Sequence, residues 1–462
     1  MLAFLVYAPV LDDWFQSDDF FYLRAAQVKA PSEFMIEAFD YRDTTQPANG
    51  PGGHYRPLYT VTILAEAEVF GLHALPYHFL NLAIHLGSAA LLWLIAMKAT
   101  RRPLVAHIAA LLFALHPSYA MVVGWISELS ALLATLGALL CLWSFMKALD
   151  GGAKRWLWYL VSVASYLAAL LYHPKEAPVL VALIAYYFLI HRGTLRGSLA
   201  LRPWLRFVPY VGIVLFPLLV GVRLREQFPT AEASFRYGPH VYQNYLHYLR
   251  IAVVPPPLLA KGTAMVTGTL ASGIVASLAW SAIGVWLLQG SRNRATHLFA
   301  LLWFLTALWP IIMFAPGAFP RQLYDAGPAL ALVLSLFFVR LFDSLSVLRM
   351  SKVFAAAVLV LFVVLATQRV LITERGQGRT AAQSQDFIEE LQQAYPVLPE
   401  EATLYVVGAP FPLRLFGDVY LVKAVQVYYG DIEIRSVSEE TAQAIEAFPR
   451  PNERVFRYPG YD

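Results

Sequence analysis

The chain has 462 residues and a formal net charge of +4, with 58% of its residues hydrophobic and only 14% charged; its mean hydropathy is +0.54. Soluble domains carry roughly a quarter charged residues, so this composition excludes an ordinary cytosolic enzyme, a disordered chain and a collagen. The single cysteine, Cys141, excludes a disulfide framework and a thiolate metal site.

Apolar runs of roughly 20 residues recur along most of the chain, the length a helix needs to cross a hydrocarbon core of about 30 Å. They predict an all-α polytopic membrane protein with about eleven transmembrane helices. Met1–Leu11 is too short to cross and lacks the basic leader and cleavage site of a signal peptide, so the chain reads either as having a misassigned start or as truncated within its first span. The next runs are Tyr77–Met97, Leu104–Gly124, Leu129–Met146, Trp156–Tyr172 and Ala177–Ile190. Phe207–Val222, Gly268–Leu288, His297–Phe314, Pro328–Val339 and Val353–Thr367 follow.

Orientation is read from the short connections. One alternating set carries Lys98, Arg101 and Arg102; Lys147, Lys154 and Arg155; Arg192, Arg196, Arg202 and Arg206; Arg292 and Arg294; and Arg340, Arg349 and Lys352. Only Asp150 and Asp343 oppose these cations, so this set is expected in the cytoplasm. The other connections then face the periplasm or the equivalent ER lumen. A membrane domain over residues 1–372 is expected, with a first outer loop at 12–76, followed by a small extracytoplasmic α/β domain at 373–462. In that tail Gln383–Ala394 and Glu439–Ala447 read as helices, Thr403–Val407 and Val425–Tyr429 as strands. Tyr248–Leu259, ending in Pro255, Pro256 and Pro257, reads as interfacial or re-entrant because consecutive prolines break a spanning helix.

Outer loop one holds the most informative cluster, Ser17-Asp18-Asp19-Phe20-Phe21-Tyr22. Two adjacent carboxylates at a membrane surface suit a general base with an orienting partner, or a divalent cation site; the plain alternative is solvated loop chemistry. His54-Tyr55-Arg56-Pro57-Leu58 then leads into a helix over Thr60–Phe70 carrying Glu66 and Glu68. The planar fork of Arg56 suits a phosphate, against the alternative of an arginine snorkelling to headgroups. His116-Pro117-Ser118-Tyr119 precedes Trp125-Ile126-Ser127-Glu128, where Glu128 at a helix start is also explained by the helix dipole. His173-Pro174-Lys175-Glu176 sets a cation on the side where positive charge is scarce, which favours an anionic headgroup as its ligand. Pro320-Arg321-Gln322-Leu323-Tyr324-Asp325 offers a further arginine and carboxylate. The chain has no Gly-rich phosphate loop, His-Glu-x-x-His or Gly-x-Ser-x-Gly, and no basic stripe for nucleic acid.

Taken in order, these fragments resemble the GT-C superfamily of glycosyltransferases that use polyprenyl-phosphate sugars, in particular the protein O-mannosyltransferases and their tetratricopeptide-containing transmembrane relatives. The resemblance runs through Asp18-Asp19, then Tyr55-Arg56-Pro57-Leu58 and Tyr77-His78-x-x-Asn81-x-x-x-His85. It continues through His116-Pro117, Trp125-Ile126-Ser127, Lys175-Glu176 and Arg321-x-x-Tyr324. No tetratricopeptide repeats follow. The resemblance implies an inverting, mannosyltransferase-like transfer from a polyprenyl-phosphate donor to a protein, lipid or glycan acceptor on the outer face. Asp18 would be the base, Asp19 would orient it or hold a divalent cation, and Lys175, Arg56 and Arg321 would bind the donor phosphate. His54, Tyr55, His116, Glu128, Glu176 and Tyr324 complete the candidate site. A bacterial inner membrane is the expected location, with the ER membrane as the alternative. The rival from another class is a transporter or lipid-linked-sugar flippase, which would show paired interrupted helices and ionisable residues in its spans. His85 and His107 come nearest to that pattern.

Overall fold

The computed structural model describes residues 1–40, 55–193, 201–227, 237–253, 270–289, 293–315, 317–344, 349–414 and 418–459, and 79% of the structure is helical. Among the described residues five helices are long and apolar enough to cross a membrane: Ala74–Thr100, Ile126–Leu149, Arg294–Ile312, Gly327–Ser344 and Ala356–Ala394. The protein is a multi-pass membrane protein. Helices at Arg155–Tyr172, Val208–Gln227 and Leu270–Leu288 cover three further predicted runs.

Proline decides where the predicted run Leu104–Gly124 departs from a straight span. Helix Pro103–Ala114 is followed by Pro117–Gly124, the two bent by 42° and forming a sixth crossing if taken together. Pro117 has no N–H to donate, and its ring pushes His116 out of helical geometry to ψ 126°. The predicted run Ala177–Ile190 likewise becomes a short helix, Val179–Ala185, continued by a π-helical turn, Tyr186–His191. The opposite correction applies near the end of the chain. Val353–Thr367 and Gln383–Ala394, expected as a span and a separate helix, belong to one continuous helix, Arg349–Ala394. The stretch between them contains no proline, and a helix already anchored by its apolar half continues through polar residues and isolated glycines at modest cost.

By contacts the described chain forms two compact units. The first comprises Met1–Tyr7, Leu82–Val123 and Glu128–Thr373. In it, Leu129–Leu149 lies against Arg155–Tyr172 so closely that a Cβ on Gly137 would sit 3.2 Å from the Cβ of Ala169. Ser162 secures the same contact, its Oγ donating to the carbonyl of Cys141 at 2.8 Å. Gly327–Ser344, buried along most of its length, packs on Pro103–Ala114 and Arg294–Ala307.

The second unit comprises Ala8–Asn81, Gly124–Ser127 and Glu374–Asp462. Its first segment is largely helical where a loop was expected: Asp19–Val28, Pro31–Phe39 and Pro57–Phe70, the last beginning three residues before the predicted Thr60. The tail contributes a parallel three-stranded sheet with Thr403–Val407 between Glu433–Ser436 and Glu453–Arg457. Helices Val419–Tyr429 and Glu439–Ala447 make the crossovers that parallel strands require. The expected strand Val425–Tyr429 is therefore helix. Its apolar cluster looked β-like over five residues, but the buried set Tyr420, Leu421, Ala424, Val425 and Val427 follows helical spacing. The first segment docks on this tail through specific polar contacts. Gln27 Nε2 donates to the carbonyl of Val427 at 3.1 Å, Arg24 pairs with Asp431 at 2.7 Å, and Ser17 Oγ donates to the carbonyl of Pro412 at 3.0 Å.

Candidate functional site

Ser17, immediately before the acidic pair, has φ +48°, a left-handed conformation that costs a non-glycine residue of order 1 kcal/mol. The turn it makes sets Asp18 at the N-cap and Asp19 at the first position of helix Asp19–Val28. The two neighbours are then used differently. Asp19 is 2% exposed, and both of its oxygens accept hydrogen bonds. Oδ2 accepts from the backbone N–H of Gln16 at 2.9 Å, and Oδ1 accepts from the N–H of Ser127 at 3.0 Å and from the Ser127 hydroxyl. Burial pushes its carboxyl up to about 7, against the pull of these bonds. Asp19 is thus a buried clamp between its helix and the turn Ile126–Glu128. Asp18 remains half-buried.

Around Asp18 the second unit gathers Tyr22, Tyr59 and Arg56. The Tyr22 and Tyr59 rings meet edge to face at 5.2 Å, and the Tyr59 hydroxyl donates to the carbonyl of Ser127 at 2.9 Å. Burial pushes the Tyr22 phenol up to about 12 and that of Tyr59 well above its usual value; for both, Asp18 adds to the rise and Arg56 opposes it. A carboxylate and a guanidinium therefore act on one buried tyrosine pair. Arg56 caps helix Pro57–Phe70, and the Tyr55 hydroxyl lies 3.5 Å from the carbonyl of Phe39. His54 lies outside the described residues.

Glu66, on the same helix, is 6% exposed, with a buried Oε1 that makes no hydrogen bond, and burial pushes its carboxyl up from 4.5 to about 8. The folded chain thus holds a proton over a window in which the unfolded chain has lost it. The resulting stability is complete below pH 4.5 and is lost as pH rises through 8. Glu66→Gln is accordingly expected to melt above the wild type at pH 8.5, with the gap closing towards pH 5. Thermal unfolding across that range checks it, and a gap that widens on acidification would refute the assignment.

The remaining candidates belong to the first unit. His116 and His173 play the same local role: each precedes a proline and caps a 3₁₀ turn, its Nδ1 accepting the backbone N–H two residues on at 3.3 Å. His116 is also buried and stacked on Tyr119 at 4.7 Å. The second such turn, Pro174–Glu176, carries Lys175 and Glu176. Glu176 is buried and accepts from Thr135 Oγ1 at 3.1 Å. Burial and then the charge of Asp325 push its carboxyl well above the usual range, while Lys175 opposes the rise. Arg321 pairs with Glu128 at 3.1 Å and lies over the Phe319 ring at 5.4 Å. Tyr324 is fully buried, its hydroxyl 3.0 Å from His85 Nδ1, while His85 Nε2 lies 3.2 Å from the carbonyl of Ala114.

Three participants were given no role from the sequence, although Ser127 and Asp325 lie in fragments it singled out. Ser127 and Tyr59 matter because they complete the Asp19 clamp, and Asp325 because it is buried beside Glu176. Each is a common residue whose role comes from what folds against it. Among the described residues no group of three or more His, Cys, Asp or Glu side chains is arranged to hold a metal. Asp19, with both oxygens committed to protein donors, is a poor ligand, so a cation at the acidic pair would depend on Asp18.

No protein-family model matches the chain, and no curated protein matches it. Solved structures do match its fold. The apo oligosaccharyltransferase of Archaeoglobus fulgidus superposes with a TM-score of 0.53 at 15% identity, over 94% of this chain and 63% of that one. The oligosaccharyltransferase AglB from the same organism, in complex with an inhibitory peptide and a dolichol-phosphate, gives 0.50 at 14% identity, over 92% and 63%. ArnT from Cupriavidus metallidurans bound to undecaprenyl phosphate gives 0.47 at 17% identity, over 98% and 88%. The chain spans about two thirds of the length of the archaeal structures, 63%. On the two archaeal superpositions, the chain shares its fold with the oligosaccharyltransferase of Archaeoglobus fulgidus.

Proposed function

We propose that the protein is an integral-membrane, inverting glycosyltransferase that moves a mannose-like sugar from a polyprenyl-phosphate carrier to an acceptor hydroxyl. The observation that carries this reading is the locus in the second unit where the Asp18 carboxylate and the Arg56 guanidinium act on the same buried tyrosines, on a GT-C fold. An acceptor hydroxyl is a weak nucleophile, and a positioned carboxylate that takes its proton contributes roughly 10²–10⁴-fold. The departing polyprenyl phosphate gains charge as the glycosidic bond breaks, and fixed cations stabilise that charge better than water does. Asp18 is assigned as the base, Asp19 as its positioning clamp, and Lys175, Arg56 and Arg321 as phosphate ligands. His54, Tyr55, His116, Glu128, Glu176 and Tyr324 are kept as further candidate site residues. Dolichol-phosphate in the archaeal complex supports a lipid-phosphate donor of the same class here.

The charge pattern of the loops supports about eleven crossings. It supports Asp18, Lys175 and the tail at 373–462 on the outer face; a bacterial inner membrane is the proposed location, with the ER membrane as the alternative. The deciding experiment incubates the purified protein in proteoliposomes with a radiolabelled polyprenyl-phosphate sugar. Release of polyprenyl phosphate with retention of label on an acceptor is the expected result. Movement of intact donor between leaflets without cleavage would instead establish the flippase.

A further inference from the structure

In the second unit, two neighbouring side chains, Glu374 and Gln377, bury four polar atoms that make no hydrogen bond. Glu374 and Gln377 lie one turn apart on helix Arg349–Ala394, 3% and 8% exposed. Both carboxylate oxygens of Glu374 and both amide atoms of Gln377 are buried without a hydrogen bond. A buried polar group left unpaired costs about 1–3 kcal/mol, so a cluster of them in a folded protein calls for a guest. The oxygens converge. A Cβ built on Gly124 would lie 2.3 Å from Gln377 Oε1 and 2.6 Å from Glu374 Oε2. A Cβ on Gly378, on the same face of the helix, would lie 2.7 Å from Asp13 Oδ1. The bare backbone at these two glycines is what gives the three side chains their room.

The charge that acts on Glu374 is Asp13, and the charge that acts on Asp13 is Asp12. Burial and Asp12 together push the Asp13 carboxyl up to about 6.

We infer that Asp13, Glu374 and Gln377 form a binding site for a hard divalent cation such as Mg²⁺ or Ca²⁺. Two carboxylates neutralise one such ion, and the Gln377 carbonyl supplies a neutral oxygen. Mg²⁺ in particular binds through one or two carboxylates and keeps several of its waters. The bound ion would tie the segment after the first helix to the long helix that leads into the tail, a structural role independent of the transferase reading.

The test uses the full chain, purified in detergent, stripped with a chelator and titrated with Mg²⁺, Ca²⁺ or Mn²⁺. A saturable rise in Tm of a few degrees is expected for the wild type, lost in Glu374→Gln and in Asp13→Asn but kept in Asp18→Asn. Bound Mn²⁺ seen by electron paramagnetic resonance of the wild type, and displaced by Mg²⁺, is the second expected result and needs no variant to fold. Absence of any shift at millimolar metal would overturn the proposal, as would a shift that survives Glu374→Gln or disappears only with Asp18. A wild type stabilised by acid rather than by metal, with Glu374→Gln matching its acid form, would overturn it too, because a shared proton would then fill the site.

Discussion

Asp18→Asn is expected to lower sugar transfer by about 10²–10⁴-fold while leaving the fold and its melting temperature unchanged. Asparagine has the shape of aspartate and serves equally well at a helix N-cap, so the start of helix Asp19–Val28 is preserved. What disappears is the basic oxygen that would take the acceptor proton. Two readouts separate these effects: release of polyprenyl phosphate from labelled donor, and thermal unfolding of the same preparation. Wild-type turnover in a folded Asp18→Asn protein would remove Asp18 from the mechanism.

Asp19→Ala should do the reverse, acting first on stability. The substitution leaves the N–H of Gln16, the N–H of Ser127 and the Ser127 hydroxyl without their acceptor inside a buried site. With each buried orphan costing about 1–3 kcal/mol, a loss of roughly 3–5 kcal/mol is expected, a large share of the stability of a typical domain. Asp19→Asn should fall between, because one oxygen remains to accept while the new amide N–H₂ opposes a backbone donor. Thermal unfolding ranks the three proteins. An Asp19→Ala variant that melts with the wild type would show that the clamp carries no stability. If Asp19→Asn kept full stability but lost transfer, Asp19 would be the base instead of Asp18.

How the two carboxylates divide their work also shows where sequence stops. Composition and the spacing of apolar runs declared a helical membrane protein, because a bilayer demands long apolar helices whatever their partners. Local chemistry was equally legible. Glu439–Ala447 was read correctly from its pattern, as were Thr403–Val407 and the helix start after Glu128. Failures came where a neighbour overruled a short pattern. Val425–Tyr429 is helix because its apolar face packs within the tail, and Glu433–Ser436 and Glu453–Arg457 are strands although most of their residues are polar, because Thr403–Val407 pairs with both.

The site follows the same rule. Asp18, Asp19, Arg56, Lys175, Glu176 and Arg321 could be picked out because charges are rare in such a chain. Sequence could not say that Asp19 is spent on Gln16 and Ser127, that Arg321 faces Glu128, or that Glu176 shares its burial with Asp325. It gave no hint that Glu374 lies beside Gly124 and Asp13. Periodicity is a property of neighbours along the chain, so the sequence by itself determined the membrane-spanning class and the long apolar helices. Burial, pairing and proton affinity depend on groups hundreds of residues away, and only the folded chain brings those within a few ångströms of each other.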